Sequence, residues 1–104
     1  MRTILCTLNF SDIAARAGFL PSPDGKLNLP ANQDTAFALA RAAVDLLPPW
    51  SPGEPAVDCV LTGAGPVWGH GVIMHAIHGR VVRLTYAAPN ANIVIFSHGL
   101  PDHS

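Results

Sequence analysis

Four short apolar stretches predict four β-strands. In the first stretch, apolar residues alternate with polar ones. Each stretch is rich in the β-branched, aromatic or large apolar residues that are typical of strands. The stretches are residues 3–10, 57–62, 80–86 and 92–97. Only residues 87–91 separate the last two stretches, so we expect these strands to pair as a hairpin.

Apolar residues at helical spacing predict two helices between the strands. The first covers residues 35–47, where Asp34 is the expected N-cap and Pro48 ends the helix. The second covers residues 67–78, and Gly79 is its expected left-handed C-cap. The first helix is apolar almost all round, which predicts that a sheet covers one side and a second subunit the other.

The region between the first strand and the first long helix is expected to be irregular. Ser11 and Asp12 can cap a short helical turn over residues 13–17, which Gly18 would end. Residues 19–33 contain three prolines and a glycine and predict a long loop. Long loops in compact domains are often lids or partner contacts.

The order of these elements predicts the fold class. The order is β-α-β-α-β-β, and strands that alternate with helices imply right-handed crossovers and a parallel sheet. The sequence therefore predicts an α/β fold whose sheet carries an antiparallel C-terminal hairpin.

The composition narrows the possible functions. Hydrophobic residues make up 49% of the 104 residues and charged residues 12%, with a formal net charge of −1. Disordered chains have the opposite balance, and electrostatic binding to duplex DNA needs a basic excess. No apolar run approaches the ~18 residues that span a bilayer, and the first ten residues lack a basic signal-peptide start. We expect a single cytoplasmic domain over residues 1–104, without membrane or duplex DNA partners.

So few charged side chains leave much of the surface apolar, which predicts a homo-oligomer and most simply a two-fold dimer. Cys6 and Cys59 lie in strand-like stretches and are expected to be reduced core residues.

The strand at residues 57–62 continues into Gly63 and Gly65, and Pro66 opens the next helix. Glycines let backbone N–H groups approach a ligand, and a helix start adds partial positive charge. The pattern predicts a small anion-binding turn at the carboxyl end of a strand. The alternative is a tight strand-to-helix turn without a ligand.

Histidines recur along the second helix. His70, His75 and His78 share one broad face, and His75 and His78 are close enough to contact one metal or one phosphate. The alternative is that they are solvated or lie in an interface. Gly69 and Gly71 destabilise the helix, and close approach of a ligand or second subunit would explain them.

Five other residues are candidates near this region. His98 could approach the histidine face if its strand lies beside the helix-bearing strand. Trp68 and Tyr86 could stack a base, with packing as the alternative. Arg80 and Arg83 could pair with phosphates, with solvated strand ends as the alternative.

Residues 62–70 read TGAGPVWGH, residues 74–78 read MHAIH, and residues 93–98 end in Ser-His. With Tyr86, this spacing resembles that of a small CRISPR-associated family, the Csx proteins of type "three", whose stretch is Gly-x-Gly-Pro-Ile/Val-Trp-x-His. The resemblance covers residues 57–99, and the first half of the chain matches only in the order of its elements.

The resemblance implies a small CRISPR-associated Rossmann-like fold and a two-fold dimer that can stack into a tetramer. Such proteins bind cyclic tetra-adenylate, or a tetranucleotide RNA, across the dimer axis. They are manganese-dependent ring nucleases, hydrolases that switch off the second messenger of type III CRISPR antiviral defence. The implied catalytic residues are His78 and, beside it, His75. The implied ligand-binding residues are Gly63, Ala64, Gly65, Pro66, Trp68, His70, Tyr86 and His98.

The chain departs from the family after Tyr86. The family continues with Asp, Pro and Arg, whereas Ala87, Ala88 and Pro89 follow here, so the acidic and basic catalytic positions are absent. Mn²⁺ favours carboxylate oxygens, so the loss weakens a metal-dependent mechanism. Asp102 is the nearest later carboxylate, and no metal ligands are assigned.

Three hypotheses follow. The first is a ring nuclease, in which a metal ion or His78 promotes attack at phosphorus. The second is a protein that sequesters or senses the same ligand without cleaving it, which the alanine at position 87 favours. The third is an interaction subunit whose helix at residues 35–47 docks a partner. Backbone N–H donors can bind phosphates without a basic surface, which reconciles the low charge with RNA binding.

Overall fold

The computed structural model describes residues 3–49, 53 and 55–98. Asp102, named above as a substitute carboxylate, lies outside the described residues. The described chain forms seven elements in the predicted order, with a short helix after the first strand. They are β1 (Thr3–Asn9), α1 (Phe10–Arg16), α2 (Gln33–Leu46), β2 (Ala56–Thr62), α3 (Val67–Ile77), β3 (Arg83–Ala88) and β4 (Ala91–Ser97).

The four strands form one mixed sheet in the order β1-β2-β3-β4. β1 pairs with β2 and β2 with β3 in parallel, whereas β3 and β4 form an antiparallel hairpin. The predicted α/β class and the C-terminal hairpin are confirmed. Because the strand order advances in one direction, right-handed crossovers place α2 and α3 on the same face of the sheet.

The core lies between that face and the helices. In β2, the buried residues Val57, Cys59 and Leu61 alternate with half-buried ones, as expected when one face of a strand is covered. Ile73 and Ile77 of α3 are fully buried against this face. Within the described ranges, no helix has the length and apolar character needed to cross a membrane.

Both cysteines are free thiols at paired positions of β1 and β2. Cys59 is buried and Cys6 half-buried, which confirms the prediction of reduced cysteines in the core. Burial raises the pKa of Cys59 to about 12, so this thiol stays protonated at neutral pH.

The helix starts differ from the predictions. Asn32, rather than Asp34, caps α2, because its Oδ1 accepts the Thr35 N–H at 2.8 Å. Asn9 caps α1 by accepting the Ser11 N–H, so this helix begins three residues earlier than predicted. In both helices an asparagine in extended backbone takes the cap position, the geometry that N-caps require.

The end of α1 agrees with the prediction, whereas the end of α3 does not. Gly18 has a φ of +96° and follows the end of α1, as predicted. Gly79 is not a left-handed cap, since it is absent from the positive-φ glycines of the described chain. α3 ends instead at His78 in right-handed backbone, with its N–H bonded to the His75 carbonyl.

Candidate functional site

The carboxyl ends of β1 and β2 lie side by side and carry the glycine turn (residues 63–66). Asn9 at the end of β1 pairs with Thr62 at the end of β2, and Gly63 follows with a φ of +98°. A Cβ atom on Gly63 would lie 2.8 Å from Asn9 Oδ1 and 3.0 Å from the Phe10 nitrogen. The position therefore requires glycine both for its backbone conformation and for its contact with β1.

The fully buried Phe10 ring explains two further glycines. A Cβ on Gly65 would lie 2.8 Å from three ring atoms, and one on Gly69 would lie 2.9 Å from Cζ. This contact corrects the expectation that a ligand or a second subunit accounts for Gly69, because the close neighbour belongs to the same chain. Gly71 differs, since a Cβ there would meet no atom of the described residues within 4 Å.

His70 links α3 to the glycine turn. Its Nε2 lies 3.0 Å from the Gly63 carbonyl oxygen, which fixes Nε2 as the protonated nitrogen that donates. The His70 ring also lies 4.9 Å from the Phe10 ring and 5.3 Å from the Tyr86 ring, measured between centroids. Of the predicted site residues, His70 thus stabilises the turn by a hydrogen bond, and Tyr86 packs against the His70 ring.

A cleft of about 930 Å³ opens beside the glycine turn. One part of its lining is Ala64, Gly65 and Pro66 of the turn, together with Trp68 of α3. Asn9, Ser11 and residues of the cleft loop (residues 18–32) form the rest. Open α/β sheets bind ligands at the carboxyl ends of their strands, so this cleft is the candidate site.

The cleft loop has its own hydrogen bonds. The Ser22 N–H donates to the Lys26 carbonyl at 2.9 Å, and the Gly25 N–H donates to the Ser22 carbonyl at 2.8 Å. The Asp24 carboxylate accepts the Ser22 hydroxyl and the Lys26 N–H, and these bonds lower the pKa of Asp24. Leu27 and Leu29 pack against the core. The loop predicted at residues 19–33 therefore forms an organised wall of the cleft.

Asn9 is a site residue that the sequence analysis missed. Its Oδ1 accepts both the N–H and the hydroxyl of Ser11, at 3.0 Å and 2.7 Å. In the described part of the chain its amide nitrogen makes no hydrogen bond, so two N–H donors are available to a ligand. The sequence clue was the Asn-Phe-Ser at the end of the first strand, because this strand end neighbours that of the glycine turn.

The remaining histidines lie away from the glycine turn. α3 starts at the turn and, with 11 residues, carries the chain about 16 Å to the opposite edge of the sheet. There the His78 ring lies 4.7 Å from the Phe96 ring and 5.4 Å from the His98 ring. The predicted approach of His98 to a helix histidine occurs, although β3 separates β4 from β2. His75 is exposed and faces a groove between α2 and α3.

Apart from His75, which lies in the groove between α2 and α3, the predicted site residues form two groups. Near the glycine turn the structure brings together Gly63, Ala64, Gly65, Pro66, Trp68, His70 and Tyr86. His78 and His98 form the second group, at the far end of α3. Within one chain, the histidines that the resemblance implies as catalytic do not reach the turn that it implies as ligand-binding.

The arginines also lie away from the turn. Arg83 begins β3, and its Nη1 donates to Asp58 at 3.2 Å in a mostly buried ion pair. Because β2 and β3 are parallel, the start of β3 and the end of β2 lie at opposite edges of the sheet. Arg80 precedes Arg83 in the same connection. The expectation that these arginines lie near the anion-binding turn is therefore wrong.

The Mn²⁺ implied by the resemblance can be tested against these residues. Among residues 3–49, 53 and 55–98, no three His, Cys, Asp or Glu side chains group closely enough to hold a metal ion. Within the described residues, His78 and His98 offer two imidazoles without a neighbouring carboxylate, whereas Mn²⁺ favours oxygen ligands. The described residues do not fit this ion.

Comparison with known proteins gives no relative. No family model matches the chain, and neither curated proteins nor solved structures give a significant match.

Proposed function

We propose that this chain binds a cyclic oligoadenylate of the cyclic tetra-adenylate type in the cleft beside the glycine turn, without cleaving it there. The observation that carries this proposal is the cleft of about 930 Å³ at the carboxyl ends of β1 and β2. Its volume lies in the upper part of the range for small-molecule sites. Binding of this kind would sequester or sense the second messenger of type III CRISPR defence.

Main-chain groups provide the phosphate contacts in this proposal. α3 has no side-chain cap, and the Gly69 and His70 N–H groups both donate to the Pro66 carbonyl. The N–H groups of Val67 and Trp68 have no such partner in the described chain, and they lie at the positive end of the helix dipole. The Asn9 amide adds uncharged donors. Such a site binds phosphate without the basic surface that this composition lacks.

Trp68 provides the contact to a base. Its side chain is half-buried and lines the cleft beside the glycine turn. An aromatic face stacks any base, and one such contact contributes about 1–3 kcal/mol. A stacking platform next to phosphate donors is the arrangement that an adenylate unit needs.

The position of His78 favours binding over cleavage. A general base must lie within hydrogen-bond reach of the proton that it removes. His78 lies at the far end of α3 from the turn, so a phosphate bound at the turn lies out of its reach in the same chain. The ring nuclease remains the second candidate, because His78 and His98 are paired and accessible at an exposed edge.

The test is a titration with labelled cyclic tetra-adenylate. Ala64 is exposed in the turn, and Ala64→Asp places a negative charge where phosphate would bind. We expect this variant to weaken binding at least about tenfold. The control Ala91→Asp puts the same charge on an exposed position of β4 and should leave affinity within about twofold.

The products of the same incubation, separated by chromatography with and without Mn²⁺, distinguish the two candidates. Intact ligand that binds wild type and not Ala64→Asp supports the binding function. Linear products that disappear in His78→Ala would support the ring nuclease instead. Absence of binding to any cyclic oligoadenylate would overturn both.

A further inference from the structure

An apolar groove of about 510 Å³ runs between α2 and α3, on the side of the helices away from the sheet. Small residues, Ala36, Ala40, Gly71 and Ala76, supply much of its lining. Among the described residues, no Asp, Glu, Lys or Arg lines the groove, so covering it would desolvate no formal charge of theirs.

A large aromatic side chain lies at the rim of this groove. Phe37 lines it and is 61% exposed, although it belongs to a well-formed helix. The projecting Phe37 side chain and the groove therefore lie on the same surface of the molecule. In a dimer with a two-fold axis, the projecting side chain of each copy can enter the groove of the other copy, so the same contact forms twice.

Gly71 lies in the groove and has no reason to be glycine within the described chain. A Cβ there would meet nothing within 4 Å, whereas Gly69, two residues earlier, contacts Phe10. Glycine inside a helix is destabilising. Close approach by a side chain from another molecule explains its presence.

Two charged residues flank Phe37 on the exposed side of α2. Asp34 precedes it by three residues and Arg41 follows it by four, and both are exposed. They lie about 10 Å apart along the helix, and neither forms an ion pair within the described residues. Two copies of α2 packed antiparallel about Phe37 bring Asp34 of each copy opposite Arg41 of the other.

We propose that a second copy of this chain docks on the α2–α3 surface, with Phe37 of each copy in the groove of the other and Asp34 paired with Arg41 across a two-fold axis. Two helices of this length present roughly 400 Å² in projection. Counted over both copies this is about 800 Å², below the roughly 1,000 Å² of a stable interface, so we expect a weak dimer that dissociates on dilution. Trp68 lines both this groove and the cleft, so dimer formation and ligand binding share that one side chain, whereas the other groove residues lie outside the cleft.

Sedimentation equilibrium from about 1 µM to about 1 mM covers the affinities expected for such an interface. Wild type should pass from monomer to dimer, and Phe37→Glu should remain monomeric. Leu5→Glu is the matched control, because Leu5 is 68% exposed on β1 and lies outside the groove. Circular dichroism establishes that each variant is folded.

Charge reversal tests the register. Either Asp34→Arg or Arg41→Asp alone places like charges opposite each other at both symmetry-related positions. Each single variant should therefore raise the dimer dissociation constant at least about tenfold. The double variant recreates both ion pairs across the axis, so its dimer dissociation constant should lie within about threefold of the wild-type value. These residues are too far apart within one helix for an internal pair to produce the rescue.

Several results would overturn the proposal. Wild type that stays monomeric at the highest concentration excludes the dimer. A dimer that survives Phe37→Glu, or that is lost in Leu5→Glu, uses another surface. A double variant no tighter than the single variants excludes the antiparallel register.

Discussion

His70 stabilises the glycine turn from the helix that follows it. Its Nε2–H donates to the Gly63 carbonyl at 3.0 Å, and its ring packs between those of Phe10 and Tyr86. The side chain is half-buried, so removing it leaves a carbonyl without its partner and a gap beside Phe10. The turn is then expected to lose its defined shape.

We expect His70→Ala to lower the free energy of unfolding by about 1–3 kcal/mol, the cost of a half-buried carbonyl left without its donor. His70→Gln keeps an N–H donor on a flexible side chain and should recover part of the loss. Urea denaturation measures both. The control His75→Ala, at an exposed position of the same helix, should stay within about 0.5 kcal/mol of wild type. Equal effects of the two alanine variants would contradict this role.

Asp24 makes the turn in the cleft loop sensitive to acid. The Ser22 hydroxyl and then the Lys26 N–H lower the pKa of Asp24 in the folded chain. A carboxyl with a depressed pKa stabilises the fold above its unfolded pKa and loses that effect as pH falls through the folded value. The turn is therefore fully formed above about pH 4 and loosens below it.

Ser22→Ala removes the larger cause and should raise the pKa of Asp24 toward its ordinary value. The pH dependence of the Asp24 carboxyl carbon shift in NMR measures it directly. In the same variant, the Lys26 amide should show faster hydrogen exchange. An unchanged pKa would mean that the hydroxyl contributes little to the carboxylate.

At the scale of elements, strands and helices follow from local pattern, whereas their ends do not. β2 alternates buried and half-buried positions because one face is covered, and the sequence carries that period. The α2 cap was ambiguous, since both Asn32 and Asp34 are good cap residues. Only the backbone path out of the cleft loop puts Asn32 in extended geometry, and this path depends on tertiary contacts.

Two glycines near the start of α3 should respond in opposite ways to alanine. Gly65→Ala places a Cβ 2.8 Å from the fully buried Phe10 ring, so packed atoms must shift, and the change should cost about 1–3 kcal/mol. The Cβ that Gly71→Ala adds meets no atom of the described chain within 4 Å, so this change should stabilise the dilute monomer by up to about 1 kcal/mol. Thermal unfolding at low protein concentration compares them. Destabilisation of the monomer by Gly71→Ala would reveal a contact that the fold does not show.

At the scale of the whole molecule, part of the site was predictable. The glycine turn could be placed at the carboxyl end of a strand because local sequence determines a strand-turn-helix unit. Asn9 and the cleft loop could not be assigned to it, because they join the turn only through the pairing of β1 with β2. The separation of His70 from His78 could have been predicted, because eight helical residues span about 12 Å, but a helical projection shows only angles around the axis.

This separation leads to a prediction about coupling between the two ends of α3. If the ligand occupies the cleft of one chain, His78→Ala and His98→Ala should each leave its dissociation constant within about twofold. His70→Ala should weaken binding about tenfold, because the turn that presents the N–H donors loses its support. Fluorescence anisotropy of labelled cyclic tetra-adenylate, at protein concentrations where wild type is monomeric, makes the comparison without contributions from a second copy. A loss of affinity in His78→Ala equal to that in His70→Ala would mean that the ligand contacts both ends of the helix, which a molecule held in the cleft alone cannot do.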